Sequence, residues 1–293
     1  MKERPDSGPH EMLPERMLRE IERTAVELAR LAGAEIVSAF GGMLSVRYKG
    51  ERNAGDEAAW RDPVSEVDHR VELLIRARLA GRFPEHEIIG EEIDERAGLA
   101  HDIVWAVDPI DGTANFINGF PLFAASIGVL YRGRPAVGAL WCATSHALRA
   151  GVYHAHCGGP LHFDDQAIEP KSNPAVRRWL AGAAPNAARK DSFPWDTRVT
   201  GSAAIECAFV AAGLLRAAQF ERPNLWDVAG GVALVAAAGG EIRVQTTNGW
   251  AALEEFAPAH GKSGSPRDLR SWRHPLILGE RAAVARLCRT QAA

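Results

Sequence analysis

In the segment WAVDPIDGTANF, residues 105–116, an apolar run ends in two aspartates three positions apart. Asp108 and Asp111 would repel each other in so short a segment unless a cation neutralises them. Pro109 fixes the backbone between them, so both carboxylates can point at one place, where the carbonyl of Ile110 can join them. The segment therefore predicts a cation site at the end of a strand.

Gly112 and Thr113 supply a second feature of the same stretch. Glycine lets the backbone approach a ligand closely, and the amides that follow can open a helix and bind phosphate oxygens. An ordinary turn needs one aspartate and one glycine, whereas this one has two acids and a threonine behind a strand. A cation beside a phosphate-binding turn indicates metal-assisted phosphoryl hydrolysis.

Three more acidic positions lie elsewhere in the chain. Glu91, followed by Glu92, comes after the apolar run EIIG. Asp227 lies in LWDVAGG at a predicted helix start, and Asp68 lies in the first turn of a helix that Ser65 would cap. Local structure also explains two of them, because Asp68 can complete a capping box and the helix dipole favours Asp227. No His or Cys accompanies these acids at ligand spacing, so the donors suit Mg²⁺ rather than zinc.

Composition bounds the remaining functions. The chain has 293 residues and a net charge of -3, so bulk charge favours neither nucleic-acid nor membrane binding. No run approaches the ~18 apolar residues of a membrane span, and the N-terminus lacks an apolar signal core. The four scattered cysteines form no C-x-x-C pair, which is typical of reduced thiols. We expect a cytoplasmic chain with a flexible N-terminus over residues 1–13.

Helical and strand patterns alternate along the chain, which predicts a mixed α/β (α+β) class. Helices are expected over residues 14–40, 65–84, 201–215, 226–238 and 279–290. Strands are expected over residues 87–90, 103–107, 123–131, 136–143, 147–155 and 241–245. The third to fifth of these, which short polar turns join, are expected to form an antiparallel meander. Residues 158–200 are rich in Pro, Asp, Asn and Arg, and no element is assigned to them.

His154 and His156 alternate along one of the predicted strands and therefore share a face. No acid or cysteine lies near them at ligand spacing. A partly exposed strand face explains the pair better than a metal site does.

Taken together, the segments IIGEE, WAVDPIDGTANFINGFP and WDVAGGVALVAAAGG resemble the signature segments of the inositol monophosphatase family, in the family's order, and DPVSEVDHRVE resembles the segment before them. The resemblance implies a layered α-β-α-β-α sandwich and a Mg²⁺-dependent, lithium-sensitive phosphatase that commonly dimerises. We expect one phosphatase domain over residues 14–293. Its half at 14–157 carries GEE and DPIDGT, and its half at 158–293 carries WD.

The resemblance also implies a role for each matching position. Two or three Mg²⁺ ions are expected per site: Glu91, Asp108 and the carbonyl of Ile110 would hold one, Asp108, Asp111 and Asp227 a second, and Glu91 a weaker third. Gly112 and Thr113 would bind the substrate phosphate. Thr113 and Asp68, together with Glu91, would orient and activate the attacking water. Ala203, in GSAA, would line the pocket.

Two positions depart from the family pattern. The family often has a lysine shortly before the DPV segment, where this chain has Glu57, with Arg61 as the nearest base. The animal enzymes place a glutamate seven residues before the aspartate of WD, where it contacts substrate. Glu221 lies six residues before Asp227, so the substrate contact is altered.

Several functions remain open from the sequence. Inositol monophosphate is the leading substrate, with histidinol phosphate, fructose 1,6-bisphosphate and 3'-phosphoadenosine phosphate as alternatives. A different mechanism would use an aspartyl nucleophile, but that motif is Asp-x-Asp, whereas this chain has Asp-x-x-Asp. A non-catalytic regulator that binds metal or phosphate is a further alternative. It would not need Asp68 and Thr113 in register with the other acids.

Overall fold

A computed structural model describes residues 13–48, 63–93, 101–170, 175–183, 195–257 and 269–291. Its helices are α1 (Glu15–Ala39), α2 (Glu66–Arg82), α3 (Thr113–Ile117), α4 (Ala203–Ala211), α5 (Leu225–Ala237) and α6 (Arg281–Gln291), with a 3₁₀ turn at Leu269–Ser271.

The strands form three sheets in the described residues. They are β1 (Val46–Tyr48), β2 (Pro63–Ser65), β3 (Glu87–Gly90), β4 (Ile103–Asp111), β5 (Ala124–Tyr131), β6 (Arg134–Cys142), β7 (Gly151–His156), β8 (His162–Phe163), β9 (Gln166–Ala167), β10 (Trp179–Ala183), β11 (Trp195–Arg198), β12 (Ala217–Phe220), β13 (Glu241–Thr246), β14 (Gly249–Ala252) and β15 (Leu276–Gly279). One sheet has seven strands in chain order from β3 to β9. Another has six in the order β11-β10-β12-β15-β13-β14, and β1 pairs with β2.

The elements stack in five alternating layers. Helices α1 and α2 pack on one face of the seven-stranded sheet, and α5 packs on its other face together with α4. The six-stranded sheet covers the outer side of α4 and α5, and α6 packs on its far face. This confirms the α-β-α-β-α sandwich. The division at residue 157 stays a prediction, while β8 and β9 continue the first sheet to Ala167.

Apolar residues fill the spaces between these layers. Ile36 of α1 and Ile75 of α2 share a fully buried core with Trp105 of β4. A second core joins both sheets to α4 and α5, and a third lies under α6 around Val284 and Ile277. Burial of apolar surface on this scale supplies most of the stabilising free energy of a fold.

Three glycines let α5 approach the seven-stranded sheet backbone to backbone. A Cβ on Gly128 would lie 2.4 Å from the backbone nitrogen of Gly230, and a Cβ on Gly138 would lie 2.2 Å from the carbonyl oxygen of Gly230. Side chains at these positions would push the helix off the sheet. The close packing carries Asp227, in the first turn of α5, toward β4.

Most of the elements expected from the pattern are confirmed. Helix α1 ends at Ala39, just before the glycine pair, and the three-stranded meander appears as β5, β6 and β7. The strand expected to end at Val107 instead continues to Asp111. Its pairing partners jump from Ser126 to Ala124 between Asp108 and Asp111, so β4 carries one extra residue there, and the strand continues through a bulge.

Candidate active site

The bulge in β4 explains why the two aspartates face one place. In a regular strand, residues three apart point to opposite faces, and one extra residue in a bulge restores them to the same face. The backbone amide of Ile110 donates to Asp108 Oδ1 at 3.0 Å, which holds that carboxylate in place. Burial raises the pKa of Asp108 well above its usual range, and the neighbouring Glu91, Asp111 and Asp227 raise it further.

Asp111 also caps the start of α4. Its Oδ2 accepts hydrogen bonds from Ser202 Oγ and from the backbone amide of Ala204, the latter at 2.7 Å. Burial raises the pKa of Asp111 to about 6, although these hydrogen bonds act in the opposite direction. Ala203 is the first residue of α4 and therefore lies at the same helix end.

Asp227 lies in the first turn of α5, as the sequence predicts. Its Oδ2 accepts from the backbone amide of Asn224 at 2.8 Å, and the Asn224 side-chain amide donates to both of its oxygens. Burial raises the pKa of Asp227 to about 8, and the charge of Asp111 adds to the rise.

Asp68, in the first turn of α2, contacts Thr113, the first residue of α3. Thr113 Oγ1 lies 3.0 Å from Asp68 Oδ1 and 2.8 Å from the carbonyl oxygen of Ile110. The other oxygen of Asp68 accepts from the amide of Ser65 at 2.9 Å and from its hydroxyl at 2.6 Å. Asp68 therefore completes the predicted capping box and contacts Thr113 at the same time. Burial raises the pKa of this fully buried carboxyl.

Glu91 lies in the loop after β3, and hydrogen bonds hold this loop from two sides. The buried carboxylate of Glu72 accepts from the amide of Glu92 at 2.7 Å and is paired with Arg76 at 2.8 Å. On the other side, Arg270 donates to the carbonyls of Gly90 and Glu91.

Trp226 connects that loop to Asp227. The guanidinium of Arg270 lies 5.0 Å from the centre of the Trp226 ring, and that of Arg273 lies 5.3 Å from it. Ser126 Oγ donates to the carbonyl of Trp226 at 3.0 Å, which ties the start of α5 to β5. The loop of Glu91 and the first turn of α5 are thus held in one arrangement.

The starts of α2, α4 and α5 converge on this cluster, and each places a carboxylate against backbone amides. The positive end of a helix dipole partly stabilises such charges and also favours a bound phosphate. Yet burial and mutual repulsion still raise the pKa of Asp108, Asp111 and Asp227. An all-oxygen donor set that is unfavourable without a counter-charge fits a hard divalent cation.

The structure brings most of the predicted positions together. Those at this cluster are Asp68, Glu91, Asp108, Ile110, Asp111, Gly112, Thr113, Ala203 and Asp227. Gly112 stands at the start of α3 with a left-handed φ of 90°. Glu221 is exposed in the turn before α5. Glu57 and Arg61 lie outside the described residues.

Several residues of the site were not identified from the sequence. Ser202 lies within the quoted GSAA, and its place directly before a helix is the signal that could have identified it. Glu72 and Arg76 have helical i,i+4 spacing, which indicates an ion pair but not its burial. Arg270 and Arg273 carry no local signal, because they reach the site from a distant part of the chain.

The histidine pair differs from what the strand pattern indicates. His154 and His156 do share a face of β7, but an acid reaches them from α1, since Glu22 Oε1 lies 2.7 Å from His154 Nδ1. His156 is buried rather than partly exposed. The sequence could not show this contact, because the two residues lie 132 positions apart.

None of the described helices has the length and apolar composition needed to cross a membrane.

Comparison with known proteins identifies the relatives of this chain. A model of the inositol monophosphatase family matches residues 17–274. The chain is 32% identical over 235 residues to the chloroplastic phosphatase IMPL1 of Arabidopsis thaliana, with 74% of this chain and 60% of that protein covered. It is 29% identical over 232 residues to the fructose-1,6-bisphosphatase/inositol-1-monophosphatase of Aquifex aeolicus, with 73% and 82% covered.

A solved structure of a related protein has a similar fold. The extragenic suppressor protein suhB from Bartonella henselae superposes with a TM-score of 0.68 at 25% identity, over 92% of this chain and 97% of that chain. The likeness bears out the mixed α/β fold.

Proposed function

The chain belongs to the inositol monophosphatase family and is a phosphoric monoester hydrolase, and we propose that it cleaves a small phosphate monoester with Mg²⁺, inositol monophosphate being the leading substrate. The observation that carries the proposal is the convergence of the buried Asp108, Asp111 and Asp227 with Glu91. Burial raises the pKa of each of the three aspartates, and the charges of the neighbouring acids raise it further. Such a cluster becomes favourable when a cation neutralises it.

The chain's residues divide between holding cations and handling water. Glu91, Asp108 and the carbonyl of Ile110 would hold one ion, and Asp108 with Asp111 and Asp227 would hold a second, while a third would depend on Glu91. When bound, Mg²⁺ would polarise the phosphate and lower the pKa of a coordinated water.

Asp68 and Thr113 are placed to handle the attacking water. Thr113 Oγ1 has one proton and faces two acceptors, Asp68 Oδ1 and the Ile110 carbonyl, so its lone pairs remain available to orient a water. Asp68 accepts the proton through Thr113 or directly. Its pKa, raised by burial, brings this carboxyl closer to the range of an effective general base. The amides near Gly112 bind the phosphate, and Ala203 and Glu221 line the substrate side.

A substrate with a second anionic group is the next candidate. Arg222 and Arg270 lie close enough to Arg273 to depress its pKa, although burial is the larger cause, so positive charge gathers around Trp226 beside Asp227. The Aquifex relative is named for both fructose-1,6-bisphosphatase and inositol-1-monophosphatase activity. Histidinol phosphate and 3'-phosphoadenosine phosphate follow. Outside the enzymes, a non-catalytic metal- or phosphate-binding regulator remains the alternative.

We further propose a cytoplasmic homodimer that Li⁺ inhibits. The free thiols of Cys142 and Cys207 agree with a reducing compartment, and the dimer and lithium inhibition rest on the family resemblance. Sedimentation of the purified chain and a lithium titration of its turnover test these two properties.

A metal-titrated phosphatase assay on a panel of monoesters tests the function. We expect turnover of inositol 1-phosphate that requires Mg²⁺ and falls to background with a chelator, and slower turnover of the other esters. A preference for fructose 1,6-bisphosphate would move the assignment to the second candidate. Full turnover in excess chelator, or a trapped acyl-phosphate on Asp108, would contradict the metal mechanism.

A further inference from the structure

A second group of potential metal ligands lies away from the acidic site, where α1 crosses the edge of the seven-stranded sheet. We call Glu22 of α1, His154 of β7 and His162 of β8 the His–Glu cluster. One ligand atom from each residue lies within 4.8 Å of the other two. The side chains of Glu22 and His154 are only 12% and 13% exposed, so these two side chains are largely shielded from water.

A backbone carbonyl accepts a hydrogen bond from one ring nitrogen of each histidine. His154 Nε2 lies 2.7 Å from the carbonyl oxygen of Asp164, and His162 Nδ1 lies 3.1 Å from that of Pro160. A carbonyl can only accept, so both of these ring nitrogens carry a hydrogen. In the neutral rings, His154 Nδ1 and His162 Nε2 are then the nitrogens with a free lone pair. Metal-binding histidines have this same support from a second acceptor.

Glu22 is the centre of the cluster. Its Oε1 lies 2.7 Å from His154 Nδ1, and its Oε2 lies 3.8 Å from Nε2 of His156, whose own Nδ1 faces the carbonyl of Cys157 at 3.0 Å. One carboxylate thus stands between two ring nitrogens. A divalent cation can replace the proton that His154 and Glu22 share in the metal-free protein, and that proton is released to solvent.

Two basic side chains near the cluster have acidic partners. Arg30 of α1 pairs with Asp165 at 3.2 Å, and Arg149 pairs with Asp164 at 2.6 Å. The carboxylate of Glu22 contacts the imidazoles of His154 and His156.

We propose that the His–Glu cluster binds Zn²⁺ or another borderline divalent metal and thereby fastens α1 to β7 and β8. Two imidazoles and one carboxylate with an open fourth position match the donors of known three-ligand zinc sites, and they do not match the all-oxygen preference of Mg²⁺. The rings of His154 and His162 are stacked, with their centres 5.0 Å apart and their planes inclined by 7°. The lone pairs lie in the ring planes, so binding turns the ring of His162, which lies on the short strand β8.

The test titrates the full-length chain with Zn²⁺ by calorimetry in excess Mg²⁺, which occupies the acidic site. We expect one Zn²⁺ per chain in the wild type and an upward shift in the melting temperature. His162→Ala should lower this affinity at least tenfold and abolish the shift. Glu22→Gln, which keeps a hydrogen-bond partner for His154, should do the same. Both variants should keep Mg²⁺-dependent turnover.

His101→Ala is the matched control, because this ring also has a nitrogen 2.6 Å from a backbone carbonyl. It belongs to no group of three such ligands in the part of the chain that the structure describes. The control should bind Zn²⁺ as the wild type does. Equal Zn²⁺ affinity in the wild type, His162→Ala and Glu22→Gln would overturn the proposal, and so would failure of the wild type to bind Zn²⁺ in excess Mg²⁺.

Discussion

At the scale of single residues, Asp68 shows how one carboxylate can serve both local structure and chemistry. One oxygen accepts two hydrogen bonds from Ser65 at the start of α2, and the other faces Thr113. Asn also caps helices well, so Asp68→Asn keeps the shape and most of the capping while it removes a proton acceptor.

We expect Asp68→Asn to lower kcat at least tenfold, since general-base assistance contributes on the order of 10²–10⁴-fold. Its melting temperature should change by the equivalent of about 1 kcal/mol or less. Thr113→Val should show a similar loss, and the double variant should lose less than the product of the two single losses. Steady-state kinetics with a thermal melt measures both effects.

Glu66→Gln is the control for this change, because Glu66 is an exposed acid in the same first turn. It should leave kcat unchanged. Near-normal kcat with lowered stability in Asp68→Asn would show that this residue only caps the helix and takes no part in catalysis.

Asp108 is the residue that we assign to both of the first two cations. We expect Asp108→Asn to reduce turnover to background and to weaken Mg²⁺ binding. The metal-free protein should become more stable, because the change removes a carboxyl whose pKa is raised by burial and, in addition, by the charges of Glu91, Asp111 and Asp227. Calorimetric Mg²⁺ titration and melting in chelator measure the two effects.

Asp102→Asn provides the comparison, since Asp102 is a half-buried acid just before the same strand and pairs with Arg132. Loss of such a pair costs about 1 kcal/mol or less, and turnover should persist. Unchanged Mg²⁺ affinity in Asp108→Asn would contradict the site assignment.

At the scale of elements, the loop after β3 depends on the close approach of Gly90 to the carboxylate of Glu72. A Cβ on Gly90 would lie 2.0 Å from Glu72 Oε1, and Glu72 cannot move away because Arg76 and the amides of Glu92 and Ile93 hold it. We expect Gly90→Ala to destabilise the protein by about 1–3 kcal/mol, as overpacking does. Mg²⁺ affinity should fall as well, because the loop carries Glu91.

Gly81→Ala is the matched substitution for this test. Gly81 lies near the end of α2, and a Cβ there meets nothing within 4 Å. Alanine should stabilise the helix by up to about 1 kcal/mol. Denaturant unfolding and Mg²⁺ titration of the two variants compare them, and equal stability would show that Glu72 does not constrain the loop.

The same elements show what sequence patterns can predict and where they fail. The capping box of Ser65 and Asp68 and the first turn at Asp227 are local, so spacing along the chain was enough to predict them. The bulge in β4 depends on which residue of β5 each aspartate pairs with, and the sequence does not state that register. The contact of Glu22 with His154 joins layers that only the folded chain brings together.

At the scale of the whole molecule, three of the five layers contribute aspartates to a site that is electrostatically unfavourable without metal: α2, the seven-stranded sheet and α5. Apolar packing on both sides of α4 and α5 holds the carboxylates together against their repulsion. The free energy of that packing therefore offsets the electrostatic repulsion among the carboxylates, which a bound cation would remove. The stability of the protein should thus depend on both metal and pH.

The sign of the pH dependence follows from the direction of the pKa shifts. Folding raises the pKa of Asp111 to about 6 and that of Asp227 to about 8, against ordinary values of 3.8. The folded state thus binds more protons than the unfolded state above pH 4, and stability falls as pH rises through these values. We expect the melting temperature in chelator to decline steadily from about pH 4 to pH 8, since one pKa unit corresponds to about 1.4 kcal/mol. Saturating Mg²⁺ should flatten the decline, and Asp227→Asn should remove much of its upper part. A metal-free melting temperature that rises from pH 6 to pH 8 would show that burial and the neighbouring charges do not raise the pKa of Asp111 and Asp227 as the structure indicates.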